Sequence, residues 1–286
     1  MAGVTKGELI HRGHRLVYDD YGAGGRPFVL IHGLLLSRQM HAPLAEALAE
    51  RGNRVICIDL LGHGESERPV DMSRYSMLGF GEEVVALMDH LDLDEAVIGG
   101  TSLGANVTLE AAVRAGDRAR GLVIEMPVLD NALLACAVAF TPLLVSLTFG
   151  EPVVRLLART MRLVPRGAAR LGDTVLDWLS QDPAPSAAVL QGLFFGRTAP
   201  PRAERTKIEA KALVIGHPRD PIHPFSDSDS LVRELSNGRL LEANSILELR
   251  LRPERLTNEI ASFLDECWRP AEARPQRRAA GRASVG

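Results

Sequence analysis

Ala96-Val97-Ile98-Gly99-Gly100-Thr101-Ser102-Leu103-Gly104-Ala105 is the stretch on which the reading of this chain turns. An apolar run of strand type ends near Ile98, and a helical pattern opens at Ala105 and continues to Ala115. Between them Gly100, Ser102 and Gly104 satisfy G-x-S-x-G, in the strand-turn-helix context that this motif requires. A turn that sharp needs small neighbours, because the serine sits strained above the sheet edge. Its hydroxyl then projects into the cleft at the carboxyl ends of the strands. Ser102 is therefore the candidate nucleophile and Gly100 and Gly104 flank its elbow. The Leu103 N–H, at a helix N-terminus, is a candidate oxyanion donor.

Working outward, Phe28-Val29-Leu30-Ile31 is a continuous apolar run, as expected of a strand covered on both faces of a parallel sheet. Similar runs recur at Val55-Ile56-Cys57-Ile58, Leu122-Val123-Ile124 and Leu213-Val214-Ile215, with a weaker one at Leu240-Leu241-Glu242-Ala243. Helical patterns at 40–51, 77–91, 105–115 and 226–235 separate most of them. This alternation predicts an α/β fold: a mostly parallel twisted sheet of about eight strands with helices on both faces. The first two strands form a half-exposed hairpin around Gly13. The alternation stops between 126 and 209, where helices are punctuated by Gly150-Glu151-Pro152, Pro165-Arg166-Gly167 and Asp182-Pro183-Ala184-Pro185. That region is too long for a loop and is expected to be an inserted helical cap. The core is then 1–125 and 210–268, and 269–286 is expected to be a disordered basic tail without an assigned role.

Two further loops follow strands. In His32-Gly33-Leu34 the glycine lets the backbone turn, so that the Leu34 N–H can face the cleft as a second oxyanion donor; His32 is expected to brace the loop. Asp59-Leu60-Leu61-Gly62-His63-Gly64-Glu65-Ser66 follows the next strand. With the G-x-S-x-G elbow, these loops resemble the α/β-hydrolase family, in particular its small bacterial esterase, lactonase, epoxide-hydrolase and carbon–carbon-hydrolase members. The resemblance spans roughly residues 17–264, with the cap matched only in position. It implies that His63 packs a loop and that Asp220, in Gly216-His217-Pro218-Arg219-Asp220-Pro221-Ile222-His223-Pro224, is the acid that supports an imidazolium.

The resemblance also places a histidine about seven residues before Pro253-Glu254, where this chain has Ile246. All eight histidines lie at 11, 14, 32, 41, 63, 90, 217 and 223. A serine without a positioned base is a poor nucleophile. His223 is the best remaining candidate, then His217. The three-residue spacing argues against Asp220 orienting His223 as an independent partner. The segment 244–252 reads as a strand or the start of a helix more than as a catalytic loop.

Other expectations are plainer. Glu125 and Asp130 are read as exposed or loop-bracing carboxylates. Trp178 and Phe194-Phe195 are read as cap core, with the lining of an apolar pocket as the alternative. Cys57, Cys136 and Cys267 suggest neither disulfides nor a zinc site, which points to a reducing cytoplasm. A net charge of −3 gives no reason to expect nucleic acid. The N-terminus lacks an apolar signal core. The apolar stretch 132–149 is read as a buried or cleft-lining helix pair rather than a membrane span. No phosphate loop, dinucleotide fingerprint or metal-ligand cluster is present, so no cofactor is expected. The Leu-, Val-, Ala- and Phe-rich cap implies a small apolar or amphipathic substrate, and the oligomeric state is left open. The chemistry expected is attack by Ser102 on an ester, thioester or lactone. The alternatives are a non-hydrolytic lyase, cyclase or isomerase, or a ligand-binding protein without turnover.

Overall fold

The computed structural model describes residues 3–165, 167 and 170–269; beyond Arg269 the expected tail lies outside them. Eight strands form one sheet: β1 (Val4–His11), β2 (His14–Tyr21), β3 (Pro27–Ile31), β4 (Arg54–Asp59), β5 (Ala96–Thr101), β6 (Ala119–Glu125), β7 (Lys211–Gly216) and β8 (Gly238–Glu242). Their order is β1-β2-β4-β3-β5-β6-β7-β8. The β1–β2 and β2–β4 pairings are antiparallel, and every other pairing is parallel. The hairpin closes through Arg12 and Gly13, with φ of 50° and 81°. Two positive φ angles give a turn whose twist matches that of the strands.

The helices are α1 (Ala42–Ala49), α2 (Met77–His90), α3 (Leu103–Ala115), α4 (Leu133–Phe149), α5 (Glu151–Met161), α6 (Arg170–Leu179), α7 (Pro183–Phe194), α8 (Arg202–Arg205), α9 (Phe225–Glu234), α10 (Glu248–Leu251) and α11 (Glu254–Trp268). One buried apolar cluster joins α2, α3 and α9 to one face of the sheet, through residues such as Phe80, Leu87, Leu109 and Leu231. A second joins α1 and α11 to the other face, through Leu44, Leu48, Leu256 and Leu264. Period-2 residues of the parallel strands are thus divided between two dry layers, which is why those strands read as unbroken apolar runs.

The chain moves from β3 outward to β4 and then returns past β3 to β5. The carboxyl ends of β3 and β5 therefore flank the point where strand order reverses, the usual place for a ligand crevice in such sheets. Helices α4–α7 sit within the interruption between β6 and β7, with α4 packed on α5 and α7.

Of the two readings of 132–149, buried or cleft-lining, the first is not met, and the stretch forms one helix rather than a pair. This stretch is long and apolar enough to cross a membrane, yet only 11% of its most apolar window is buried. One side of α4 does line an internal chamber. Trp178, Phe194 and Phe195 are likewise partly or largely exposed rather than core, and of the three Phe194 meets the alternative reading by lining that chamber. Helices α4 and α5 bury one residue each and leave a side outside, whereas α7 is buried along most of its length and exposed only at its end.

A buried carboxyl lies under the loop after β4. Glu83, on α2, accepts a hydrogen bond from Leu61 N at 3.0 Å. Burial pushes its pKa up to about 8. The folded chain then holds a proton that the unfolded chain releases above the ordinary carboxyl range. Stability from this group is full at acid pH and is lost as pH rises from about 4.5 through about 8. Glu83→Gln is expected to match the parent at pH 5 and to exceed it by on the order of 3 kcal/mol at pH 9. Urea unfolding at both pH values measures this, and equal stabilities at pH 9 would contradict it.

Candidate active site

The elbow forms as the sequence demands. Ser102 follows β5 directly with φ 55° and ψ −111°, a left-handed conformation that a non-glycine residue adopts only when its surroundings enforce it. Here Ser102 N donates to the Glu125 carbonyl at 2.9 Å, and its own carbonyl accepts from Asn106 N at 3.2 Å. A Cβ on Gly104 would run into the Ile31 carbonyl oxygen, and one on Gly100 would lie 2.5 Å from Gly104 C. Only glycine at both positions lets α3 start against the end of β3.

The β3 loop is pinned from behind. Arg38, almost fully buried, pairs with Asp59 and with Asp19 Oδ2, the latter at 2.9 Å, and its backbone N donates to Asp59 Oδ1 at 2.6 Å. His32 is buried, accepts from Leu60 N through Nε2 at 3.1 Å, and turns Nδ1 to the Gly33 carbonyl at 2.8 Å. Its pKa is lowered, burial being the main cause. A neutral imidazole with both nitrogens engaged is a brace. His63 is also buried, with Nδ1 at 2.9 Å from the Leu61 carbonyl and its ring tilted 46° to that of His32, the centroids 4.7 Å apart.

Ser102, Leu103, Leu34 and His223 meet around one chamber of about 240 Å³ under the cap. Met77, Val128, Leu133, Phe140, Leu190 and Leu193 supply much of its apolar wall. The Leu103 N–H opens α3 and has no intrahelical acceptor, as for every first-turn amide. Among the described residues of the wall, His223 is the one ionisable side chain apart from Cys136. Burial pushes the Cys136 thiol up to about 11.

Ser102 Oγ lies 2.8 Å from His223 Nε2. His223 Nδ1 lies 3.0 Å from Asp220 Oδ2. The spacing argument against this partnership fails because the Asp220–His223 segment is a tight turn rather than an extended chain. Asp220 Oδ1 accepts from Ile222 N at 2.8 Å and from His223 N at 2.9 Å, which folds the backbone back over the carboxylate. Its second oxygen is left facing the ring. Burial alone would raise the Asp220 pKa; the bonds from the His223 ring and backbone outweigh it and hold the carboxyl below its ordinary range.

Ile246 sits elsewhere, 41% exposed beside an outer cleft of about 470 Å³ that includes neither Ser102 nor His223. His217 is buried and turned away from the serine. Its Nδ1 is 2.9 Å from the Ser245 carbonyl and its Nε2 is 3.3 Å from Glu125 Oε1, within ion-pair range though not in hydrogen-bond geometry.

Of the two readings of Glu125, exposed or loop-bracing, the second fits and the first does not. It is buried at the end of β6, where Arg250 Nη2 meets Oε2 at 3.0 Å and the Thr101 hydroxyl donates to the same oxygen. Arg250 also reaches Thr101 Oγ1 at 3.1 Å. Burial opposes the charge on Glu125, but Arg250 and then His217 hold its carboxyl well below the usual carboxylate range. Burial likewise opposes charge on His217, but Glu125 raises its pKa above the ordinary value. Burial and then Arg250 take nearby His41 down to about 3. This cluster ties the ends of β5, β6 and β7 to α10 directly behind the elbow. Its one sequence signal was Arg250, one of two arginines in the leucine-rich segment 244–252.

Asn106 was also missed. It is buried on α3, donates to the Val128 and Thr198 carbonyls at 2.7 Å each and accepts from Val128 N at 2.9 Å, fastening the elbow helix to both ends of the cap. Asp130 is exposed, as expected. No group of three or more His, Cys, Asp or Glu among the described residues could hold a metal ion.

Eight strands in this order, with a strained serine between β5 and α3 and a cap over it, define the α/β-hydrolase fold. Residues 26–152 match the family model described as alpha/beta hydrolase fold, and the chain is an α/β-hydrolase-fold protein. It is 34% identical over 119 residues to a 2-hydroxymuconate semialdehyde hydrolase of Pseudomonas sp. (strain CF600), covering 41% of each chain. It is 42% identical over 105 residues to the dihydrolipoyllysine-residue acetyltransferase component of the acetoin cleaving system of Pseudomonas putida, covering 35% of this chain and 26% of that one. These matches therefore span well under half the length of either curated relative. The enol-lactonase of Burkholderia xenovorans LB400 has the same fold, with a TM-score of 0.71 at 23% identity over 90% of this chain and 99% of that one.

Proposed function

We propose that this chain is a serine hydrolase for small apolar carbonyl substrates of the ester, thioester or lactone class. The observation that carries the reading is the hydrogen-bonded chain from Ser102 Oγ through His223 to Asp220, at 2.8 and 3.0 Å, opening into an apolar chamber. His223 Nε2 takes the serine proton as Oγ attacks the carbonyl carbon, and Asp220 holds the imidazolium that forms. The Leu34 and Leu103 amides receive the oxyanion. As the tetrahedral centre collapses, the carbonyl re-forms, the bond to the leaving oxygen or sulfur breaks, and His223 returns the proton to it. Water then attacks the acyl-enzyme by the same route in reverse.

The chamber, at about 240 Å³, is smaller than the ~300–1,000 Å³ usual for ligand pockets, which favours a short acyl group. The uncharged wall disfavours an acyl chain that ends in a carboxylate. The alternatives without a serine nucleophile were motivated by the isoleucine at 246, and a histidine within hydrogen-bond distance of Ser102 removes that motive. The test is labelling of the folded chain with a fluorophosphonate. A single adduct at Ser102, absent from Ser102→Ala, is expected; an unlabelled Ser102 in active protein would sink the reading.

A further inference from the structure

The outer surface of the cap has a composition that a water-facing surface does not explain. α4 contains no charged residue, and Leu134, Val138, Val145 and Phe149 recur at helical spacing along its exposed side, Phe149 being 83% exposed. The neighbouring α5 buries only Ala158, while Val153, Leu156 and Leu157, and Leu163 just after it, are all exposed. Soluble monomers seldom leave a continuous apolar surface larger than a few hundred Å² without a partner for it. Between residues 131 and 165 the charged residues are Arg155, Arg159, Arg162 and one acid, Glu151. This local cationic surplus stands in a chain of net charge −3. Arg155 pairs with Glu151 and Arg162 Nε reaches the Ser180 carbonyl at 3.1 Å; all three arginines are exposed.

We propose that the α4–α5 face of the cap docks on an anionic lipid surface. The apolar residues enter the boundary between headgroups and acyl chains, and the arginine stems lie along them with their guanidinium groups at the lipid phosphates. Charge selects this occupant over a second copy of the chain, because a two-fold interface would set the same cationic helix against itself. The inner side of α4 argues against a membrane span: Leu133, Ala137 and Phe140 line the chamber, and the helix packs on α7. The helix that would touch lipid is thus also a wall of the chamber above Ser102. The docking itself does not rest on Ser102 being a nucleophile.

Sedimentation of the full chain with vesicles of phosphatidylcholine, alone or mixed with phosphatidylserine, tests the proposal. Binding to the mixed vesicles is expected to be on the order of 10-fold tighter or more, and to weaken with salt. Leu134→Glu/Leu157→Glu should abolish binding to both. Arg155→Gln/Arg159→Gln/Arg162→Gln should remove the preference for phosphatidylserine. All substituted residues are exposed, so an unchanged Tm is the control for folding. Ser102→Ala should bind like the parent, which separates this result from the fate of the catalytic reading. The proposal is overturned if the parent binds neither vesicle, if the glutamate pair binds as well as the parent, or if the parent is a dimer that only the glutamate pair dissociates and no vesicle binds.

Discussion

Replacing His223 by alanine is expected to lower kcat on an activated ester by about 10³–10⁴-fold with KM within a few-fold of the parent. The imidazole is the one base within hydrogen-bond reach of Ser102 Oγ among the described residues, at 2.8 Å. Its loss leaves the amides of Leu34 and Leu103 and the apolar chamber in place. Binding should therefore survive while proton transfer fails, which is why the loss belongs in kcat. Stability should change little, because the ring fills a chamber wall rather than the core. The informative companion is His223→Ala/Ile246→His. Ile246 borders a different cleft, so this variant should remain as slow as His223→Ala. Turnover restored by a histidine at 246, or full activity in His223→Ala, would refute the assignment of the base.

Arg250→Met is expected to cost about 3 kcal/mol of stability, because it strips the nearest cation from a carboxylate with almost no access to water. Glu125 would keep the Thr101 hydroxyl and the more distant His217. A buried charge left with weaker partners is penalised more than the pair itself stabilises. Adding Glu125→Gln to Arg250→Met should therefore recover part of the loss, giving a coupling of ~1–3 kcal/mol in a double-mutant cycle. Chemical denaturation of the four proteins at pH 7 measures it. Strictly additive losses would mean that Arg250 and Glu125 do not act as a unit. Since Ser102 N is bonded to the Glu125 carbonyl, Arg250→Met should also loosen the elbow and slow labelling of Ser102.

The elements most legible in the sequence were those whose cause is local. Unbroken apolar runs at β3, β4, β6 and β7 reflect burial on both faces, and the tight flanks of Ser102 reflect one strained turn. The run of helices between β6 and β7 was legible as an interruption in the alternation of strand and helix. The orientation of its helices was not, because helix α4 is apolar all round and gives no periodic sign of which side faces out. Trp178 was misread because α6 has no neighbour over part of its surface, and Phe195 because it lies past the buried part of α7, at its exposed end. Glu125 and Arg250 lie 125 positions apart, and neither flanking sequence indicates that the ends of β6 and α10 meet.

The sequence alone determined the layered parallel sheet and the position of Ser102 on it, because strand burial and the glycine requirement of the elbow act over a few residues. Only the tertiary structure decided which imidazole lies beside that serine. Ser102 and His223 are 121 positions apart, and their meeting depends on the course of one turn after β7 that Asp220 folds over its own backbone. Local patterns set which surfaces must be buried, whereas the contacts among polar side chains follow from how those buried surfaces bring distant loops together.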